Sequence, residues 1–471
     1  MSTSVKSESA DLGFSIFLTA YEPLDLASNS IDVLGFQRGY IALADKILPG
    51  FTTVTTSPRY VSMLCAAIRM AQDKYPDSTA TPIQIRQQRL DAVKSYERAW
   101  ALACGLASSE EQIGTSAVDG LRGVQSIRRR LSALSGREKY IRTNSFSLLA
   151  NQVRYGGIGA YSTFLEDCHL ASMRSLNLRP LGIILADAFP QPAETLAVHD
   201  EEQPLSLEEL QNWGRQSHLA AFSREEANKL REALKGGEEG GWADDVRWTM
   251  LRLMAADVKR EDAERILLKS VLSGIQRNRF ADLKLPAECV HQIQAALVII
   301  RPYERLSQSF QFLFDTVRGA ATDTTEVSLK ALGKQTNVLG AYSAAKSAAT
   351  ELHASLDQAR EINRKLAEEI LTVLTDAGIG VLLTEINAIA SASDMLSLVL
   401  DRHRDIQQGK FDKGERKAPW VKRDTSGDKV SLTAQRHQLV VSDRKNSWDQ
   451  VPWHPYRTFG ALRFIRQCGI R

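Results

Sequence analysis

Apolar residues recur at every third or fourth position along most of this chain, which is the spacing of one face of an α-helix. The clearest example is the segment at residues 81–107, which has a proline at its second position and a glycine near its end. Its apolar stripe consists of Ile85, Leu90, Val93, Tyr96, Trp100 and Cys104. We therefore expect a mainly α fold, with multi-helix bundle domains and a small basic α+β C-terminal tail.

The chain is long enough for more than one packed unit, because a single core stops growing at roughly 250–300 residues and the chain has 471. Residues 190–204 are rich in proline and acidic residues and show no period, which is typical of a linker. We predict an N-terminal helical domain at residues 1–190, a helical bundle at 191–410 and the small basic α+β tail at 411–471. In the tail, residues 428–443 alternate like a short β-hairpin, and residues 456–468 return to helical spacing.

Local signals predict particular helix ends. Capping boxes of the Ser-x-x-Glu kind predict three helix starts, at Ser108, Ser206 and Ser223. Another helix is expected to begin near Pro58, which places Arg59 where the helix dipole disfavours a cation. We therefore expect an acid or another anion beside Arg59, or its exposure to solvent. The apolar stripe of residues 289–319 continues across Pro302, which predicts one long helix kinked there or two stacked helices.

Composition excludes several classes of protein. An apolar fraction of 43% and a charged fraction of 24% are typical of a globular protein and exclude a wholly disordered chain. The five cysteines are scattered and never form a Cys-x-x-Cys motif, so we expect neither a disulfide framework nor a zinc site. The sequence shows no secretion signal and no membrane-spanning window. We therefore expect a cytoplasmic protein that does not contact a membrane.

Positive charge is concentrated in two segments. From residue 401 onward there are 16 lysines and arginines against 8 aspartates and glutamates, although the whole chain carries only +3. Residues 120–142 hold seven basic residues and a single acid, Glu138. Such local charge on a near-neutral chain favours contact with a polyanion. Two solvated helix faces would produce the same pattern, and this alternative stays open.

Motifs for catalysis fail on context or spacing. The sequence RYGGIGAY at residues 154–161 shares part of the dinucleotide-binding pattern, but it lacks the strand and the βαβ unit that the pattern requires. We expect a tight turn or close helix packing at these glycines instead. Cys168 and His169 are neighbours in sequence, and neighbours on a helix point in different directions. We assign no catalytic residue, no metal ligand and no cofactor, while a nuclease with carboxylates from distant helices remains an alternative.

Basic and aromatic residues are interleaved near the end of the chain, where cations can bind phosphates and aromatic rings can stack on unpaired bases. We expect Trp453 and Phe459 to anchor the last helix, and the basic residues of the tail to form one electropositive surface. The alternative is that tryptophans such as Trp420 only fix the tail to the bundle. The candidate nucleic-acid-binding residues are Arg128, Arg129, Arg130, Arg402, Arg404, Lys417, Trp420, Lys422, Arg423, His454, Arg457 and Arg463.

Three patches resemble segments of a set of bacterial proteins encoded in anti-phage defence gene clusters. They are L-P-G-x-T at residues 48–52 with Arg-Tyr at 59–60, Pro-Trp at 419–420, and His-Pro-Tyr-Arg at 454–457. The resemblance implies a non-catalytic accessory or scaffold subunit of a defence complex. Its partners would be a helicase, nuclease or ATPase, together with DNA or RNA. A stand-alone structural or regulatory helical protein is the rival interpretation.

Overall fold

Helices make up most of the protein. The computed structural model describes residues 32–77, 80–134, 138–196, 198, 200–257, 263–412, 415–439, 447–451 and 454–471. The helices are α1 (Gln37–Ile47), α2 (Pro58–Lys74), α3 (Pro82–Ala107), α4 (Val124–Ser132), α5 (Gln152–Tyr155), α6 (Gly157–Asp167), α7 (Pro180–Ala188), α8 (Leu207–Ser217), α9 (Arg224–Leu234), α10 (Trp242–Asp257), α11 (Ala263–Gln276), α12 (Ala287–Ala320), α13 (Leu329–Gly333), α14 (Thr336–Asp376), α15 (Ile379–Ala388), α16 (Ala392–Gln408) and α17 (Thr458–Cys468).

Strands are short and lie between the helices or in the tail. They are β1 (Tyr140–Ile141), β2 (Ala171–Ser172), β3 (Asn177–Leu178), β4 (Leu205–Ser206), β5 (Val327–Ser328), β6 (Phe411–Asp412), β7 (Glu415–Arg416), β8 (Val421–Arg423) and β9 (Lys429–Leu432). All pairs are antiparallel: β1 with β4, β2 with β3, β6 with β7, and the sheet β5-β9-β8. The mainly α fold with a small α+β C-terminal region is therefore confirmed.

Helices α2, α3 and α8 form the first part of the core. α3 begins with a capping box between Thr81 and Gln84 and runs to Ala107, so its predicted bounds are confirmed within one residue. The buried indole of Trp100 donates to the carbonyl oxygen of Ser217, at the end of α8, over 2.8 Å. α3 precedes residue 190 and α8 follows it, so segments on the two sides of the predicted domain boundary pack against each other. The division into domains at residue 190 stays a prediction from the sequence.

A pair of long helices forms the centre of the molecule. α12 is one continuous helix with Pro302 inside it, so the single-helix alternative is confirmed and the two stacked helices are not formed. α14 packs along α12 and contains one residue with non-helical backbone angles, Asn363, at φ −151° and ψ 90°. α1 lies across both helices and brings Gly39 against the ring of Tyr303, a position that leaves no room for a side chain.

Arg59 has the compensating acid that its position at the start of α2 predicts. Its guanidinium is fully buried and forms an ion pair with Glu226, which is also fully buried. It also donates to the carbonyl oxygens of Ser217 and Gln216, over 3.2 and 2.7 Å. The expected anion is therefore present, and the alternative of solvent exposure is wrong.

The predicted capping boxes have mixed outcomes. Ser223 starts α9 with a complete box, and the Ser206 side chain accepts the amide N–H of Glu209 at the start of α8. Ser108 instead follows the end of α3, and its hydroxyl donates to the carbonyl oxygen of Gly105. The prediction at Ser108 is wrong, because residues 108–113 form turns and a bend and only a short 3-10 helix follows, at Gly114–Val118.

The tail differs from its predicted hairpin. β9 pairs with β8, which precedes it, through a turn at residues 424–428, and with β5. Most of the second half of the predicted hairpin, at residues 440–443, lies outside the described residues. α17 packs against α2, α9 and α10. Phe459 is 47% exposed and does not anchor α17, while Trp453 lies outside the described residues. The buried aromatic of α17 is Phe464, whose ring centroid lies 5.0 Å from that of Phe51.

Candidate nucleic-acid interface

α4 carries three consecutive arginines, and its apolar residues hold one side of the helix against α3. Ile127 is fully buried, and its side chain and that of Leu131 lie directly over Gly105 of α3. Any side chain at Gly105 would overlap them. The helix is preceded by Gly123 at φ 73°, a left-handed angle that glycine adopts without strain. Arg128 and Arg129, which lie away from this packed side, are exposed to solvent.

Three consecutive arginines, Arg128, Arg129 and Arg130, point in different directions around α4, and we call them the α4 basic surface. Arg128 and Arg129 are exposed and Arg130 is half-buried. None of the three forms an ion pair or a side-chain hydrogen bond with any residue of the described ranges, and the Nε of Arg130 is buried without a partner. Their location in the last turns of α4 is favourable to cations, because helix carbonyls point that way.

Three other surface arginines of the protein are each paired with a carboxylate. Arg38 pairs with Asp376 over 3.4 Å, and Arg69 pairs with Asp73 over 3.3 Å. Arg360 pairs with Asp357 over 2.6 Å and also lies 2.9 Å from a carboxylate oxygen of Glu368. The α4 basic surface thus differs from these sites in having no acidic neighbour in the described part of the chain.

Two of the predicted arginines near residue 400 bind backbone carbonyls. Arg402 donates to Leu34 over 2.6 Å and to Gly35 over 3.2 Å, which fixes the start of the described chain to α16. Arg423 pairs with Asp401 over 3.2 Å and donates to the carbonyl oxygen of Ser397. Much of the hydrogen-bonding capacity of both guanidinium groups is therefore used inside the protein.

Arg404, Lys417 and Lys422 lie closer to solvent. Arg404 pairs with Asp401 over 2.8 Å and with Asp405 over 3.1 Å. Lys417 is half-buried, and its backbone N–H donates to the carbonyl oxygen of Lys410 over 2.9 Å. Lys422 is exposed in β8 and has no charged partner among the residues that the structure describes.

Trp420 lies in the interior. Its ring is 6% exposed and stacks on the imidazole of His437 at a centroid distance of 5.2 Å. The guanidinium carbon of Arg318 lies 4.9 Å from the centroid of the same ring. The backbone N–H of Trp420 donates to His403 of α16 over 3.0 Å. These contacts fix the tail to α12 and α16, as the packing alternative predicts, and leave no free ring face for a base.

The His-Pro-Tyr-Arg motif at residues 454–457 binds the core. His454 stacks on Tyr40 at a centroid distance of 4.2 Å, and burial lowers the pKa of its imidazole to about 3, so the ring is neutral. Arg457 is 7% exposed, pairs with Asp45 and donates to the carbonyl oxygen of Leu48 over 3.3 Å. Leu48 begins the L-P-G-x-T motif, so two of the three patches that carry the resemblance meet in space.

The predicted single electropositive surface of the tail is therefore wrong. His454 and Arg457 are held against α1 and α12, whereas Lys422 lies in a sheet beside α13. Arg463 of α17 is separate from both groups, because its guanidinium lies 3.8 Å from the carboxylate of Asp119. Asp119 lies five residues before the start of α4, so Arg463 contacts the segment that leads into this helix.

The glycines at residues 156–159 form a turn between α5 and α6. The amide N–H of Gly157 donates to the carboxylate of Glu97 over 2.7 Å, and Gln152 donates to the other oxygen of that carboxylate over 2.8 Å. Burial raises the pKa of Glu97. The Glu97 carboxyl group thus accepts the N–H of Gly157, and the tight turn expected at these glycines is confirmed.

The neighbours Cys168 and His169 differ in their surroundings, and the described histidine, cysteine and acidic side chains form no metal-binding cluster. Cys168 is buried, and burial raises the pKa of its thiol to about 12. The ring of the adjacent His169 instead approaches Asp244, with 3.2 Å between Nε2 and a carboxylate oxygen. In the described ranges, no three His, Cys, Asp or Glu side chains come together in a way that could hold a metal ion.

No protein-family model, no curated protein and no solved structure matches this chain. Within the part of the chain that the structure describes, no helix is both long enough and apolar enough to cross a membrane.

Proposed function

We propose that this protein is a non-catalytic accessory or scaffold subunit that contacts nucleic acid through the α4 basic surface. The observation that supports the proposal is the run of Arg128, Arg129 and Arg130 on a helix held firmly by Ile127, with no carboxylate neighbour in the described residues. Guanidinium groups without acidic partners are free to bind phosphates, and each phosphate contact releases condensed counterions.

The magnitude of the salt effect follows from the number of arginines. Each phosphate contact contributes about −0.9 to the slope of log K against log salt on duplex DNA, and about −0.7 on single strands. Three arginines would therefore contribute a slope of about −2 to −3. Binding through this surface is expected to be independent of base sequence, because phosphate contacts carry no sequence information.

The test is a salt titration of DNA and RNA binding by the full chain. The variant Arg128→Gln/Arg129→Gln/Arg130→Gln should bind more weakly at every salt concentration, with a slope reduced by about 2–3. The matched control is Arg38→Gln/Arg69→Gln/Arg360→Gln, which removes the same charge from arginines that already have acidic partners. The control should keep the wild-type slope. Equal slopes for both triple variants would refute the role of the α4 basic surface.

The proposed setting is a bacterial anti-phage defence complex, in which a helicase, nuclease or ATPase supplies the chemistry. The resemblance of residues 48–52 and 454–457 to proteins of such gene clusters supports this setting. Purification of the tagged chain from its native cells should recover a partner of one of these enzyme classes. Recovery of the chain alone, encoded among housekeeping genes, would favour the stand-alone structural alternative.

The non-catalytic part of the proposal has its own test. Purified protein incubated with single- and double-stranded DNA and RNA and with Mg²⁺ or Mn²⁺ should leave these substrates intact. Cleavage that is lost on chelation would instead support the nuclease alternative with carboxylates brought together from distant helices.

A further inference from the structure

A pocket of about 500 Å³ lies between α11, α12 and the short segment at residues 448–449. Its volume lies within the range of about 300–1,000 Å³ that is common for small-molecule sites. The floor is apolar and comes from both helices: Leu268 and Leu272 of α11, and Leu297 and Ile300 of α12. Such a floor can bury the non-polar part of a ligand.

Three cations line the same pocket. Lys269 belongs to α11, while Arg301 and Arg305 lie one turn apart on α12. Arg301 is exposed and has no charged partner among the residues described. Burial and the positive charges of Arg301 and Arg305 together lower the pKa of Lys269. Arg301 and Arg305 therefore lie close enough to Lys269 for their charges to act on its ammonium group.

Arg305 is oriented by the protein before any ligand binds. One of its terminal nitrogens donates to both carboxylate oxygens of Glu351 on α14, over 2.7 and 2.8 Å. Its guanidinium carbon also lies 5.9 Å from the centroid of the Trp448 ring. No further hydrogen bond of this guanidinium is made within the described ranges, so its remaining N–H groups are available to an anion.

An aromatic wall and an acceptor complete the pocket. Trp448 is half-buried, and its indole edge approaches Gly340 of α14, where a Cβ would lie 3.8 Å from the ring. The adjacent Asp449 is exposed and forms no ion pair among the residues described. The pocket therefore combines cations, an apolar floor, a flat aromatic side and a carboxylate that can accept hydrogen bonds.

We propose that this pocket binds a nucleotide, with its phosphates at Lys269, Arg301 and Arg305 and its base between the apolar floor and Trp448. A phosphate group matches the cations, and a flat base matches the aromatic wall. The carboxylate of Asp449 would accept hydrogen bonds from amino or ring N–H groups of the base. This site is separate from the α4 basic surface and does not depend on the function proposed for it.

Calorimetric titration of the full chain with ADP, GDP, pyrophosphate and dodecyl phosphate tests the proposal. We expect at least one nucleoside diphosphate to bind at least tenfold more tightly than pyrophosphate and more tightly than dodecyl phosphate. Equal binding of pyrophosphate would overturn the contact with the base, because only the anion would then matter. Tighter binding of dodecyl phosphate would identify an amphiphile site instead, and binding of none of the four would refute a ligand site.

Two variants locate the site. Arg301→Gln should weaken nucleotide binding at least tenfold, because the exposed side chain contributes a charged hydrogen bond and little to folding. Arg277→Gln is the matched control, since Arg277 is also exposed and unpaired in the described chain but does not line the pocket. The control should bind like wild type. Equal affinities of the two variants would place the nucleotide elsewhere and overturn the proposal.

Discussion

Replacement of Glu304 by glutamine should change how the stability of the protein depends on pH. The Glu304 carboxyl is 1% exposed in the middle of α12. Its two oxygens are hydrogen-bonded to the hydroxyl of Tyr456 over 2.6 Å and to the backbone N–H of His454 over 2.8 Å. Burial raises its pKa from 4.5 to about 8, against the opposing effect of these hydrogen bonds. The folded protein therefore holds this carboxyl protonated at neutral pH.

The sign and size of the effect follow from this pKa. Between pH 4.5 and about 8 the unfolded chain has lost the proton and the folded protein keeps it, so stability falls as pH rises. The loss is about 1.4 kcal/mol per pH unit at its steepest, or about 3–4 kcal/mol from pH 5 to pH 8. A glutamine has the shape of the protonated carboxyl and can donate to Tyr456 while it accepts from His454, so Glu304→Gln should remove this loss.

The assay is the difference in urea midpoint between Glu304→Gln and wild type at pH 5, 6, 7 and 8. The variant should match wild type near pH 5 and become progressively more stable above it. Glu361→Gln, at an exposed position of α14, is the matched control and should follow the wild-type curve. Infrared spectroscopy at pH 7 should show a protonated carboxyl band that Glu304→Gln lacks. A constant difference at all four pH values would refute the reasoning.

Two further substitutions test the packing of the core. Gly39→Ala should lower the thermal midpoint by several degrees, because the new methyl group would overlap the Tyr303 hydroxyl. Gly241→Ala is the control and should leave the midpoint unchanged, because its methyl group would meet no atom within 4 Å. Equal midpoints for the two variants would contradict the packing described. Arg59→Met should cost about 3–5 kcal/mol in urea unfolding, since it leaves Glu226 buried and unpaired. The double variant Arg59→Met/Glu226→Leu should recover much of that stability. A double variant that is no more stable than Arg59→Met would contradict the role of the unpaired Glu226 carboxylate.

Features that depend on neighbours in sequence were predictable. α3 was predicted at residues 81–107 because its period, its N-terminal proline and its C-terminal glycine act within a few residues of one another. The capping box at Ser223 and the continuous helix through Pro302 are signals of the same kind. The exposure of Arg128 and Arg129 also follows from sequence, because neither lies at the three- or four-residue spacing from Ile127 that the packed side of α4 occupies.

Features that depend on distant partners were not predictable. Arg457 looked like a surface cation in sequence, but its partner Asp45 lies in α1, 412 positions away. Trp420 looked equally suited to stacking on a base or on the protein, and only the positions of His437 and Arg318 decide between them. The pocket beside Arg301 had no sequence signal, since its walls come from two helices and a separate segment.

The contact between residues 454–457 and α1 also determines the order in which the protein can assemble. Synthesis of the 412 positions between Asp45 and Arg457 takes roughly 20–80 s at about 5–20 residues per second. α1 is made long before the arginine that pairs with Asp45, and α12 is made before the residues that cover Glu304. A contact of such sequence separation is also slow to find by diffusion of the chain. The burial of Glu304 and the pairing of Asp45 with Arg457 therefore come only after residues 454–457 have been made.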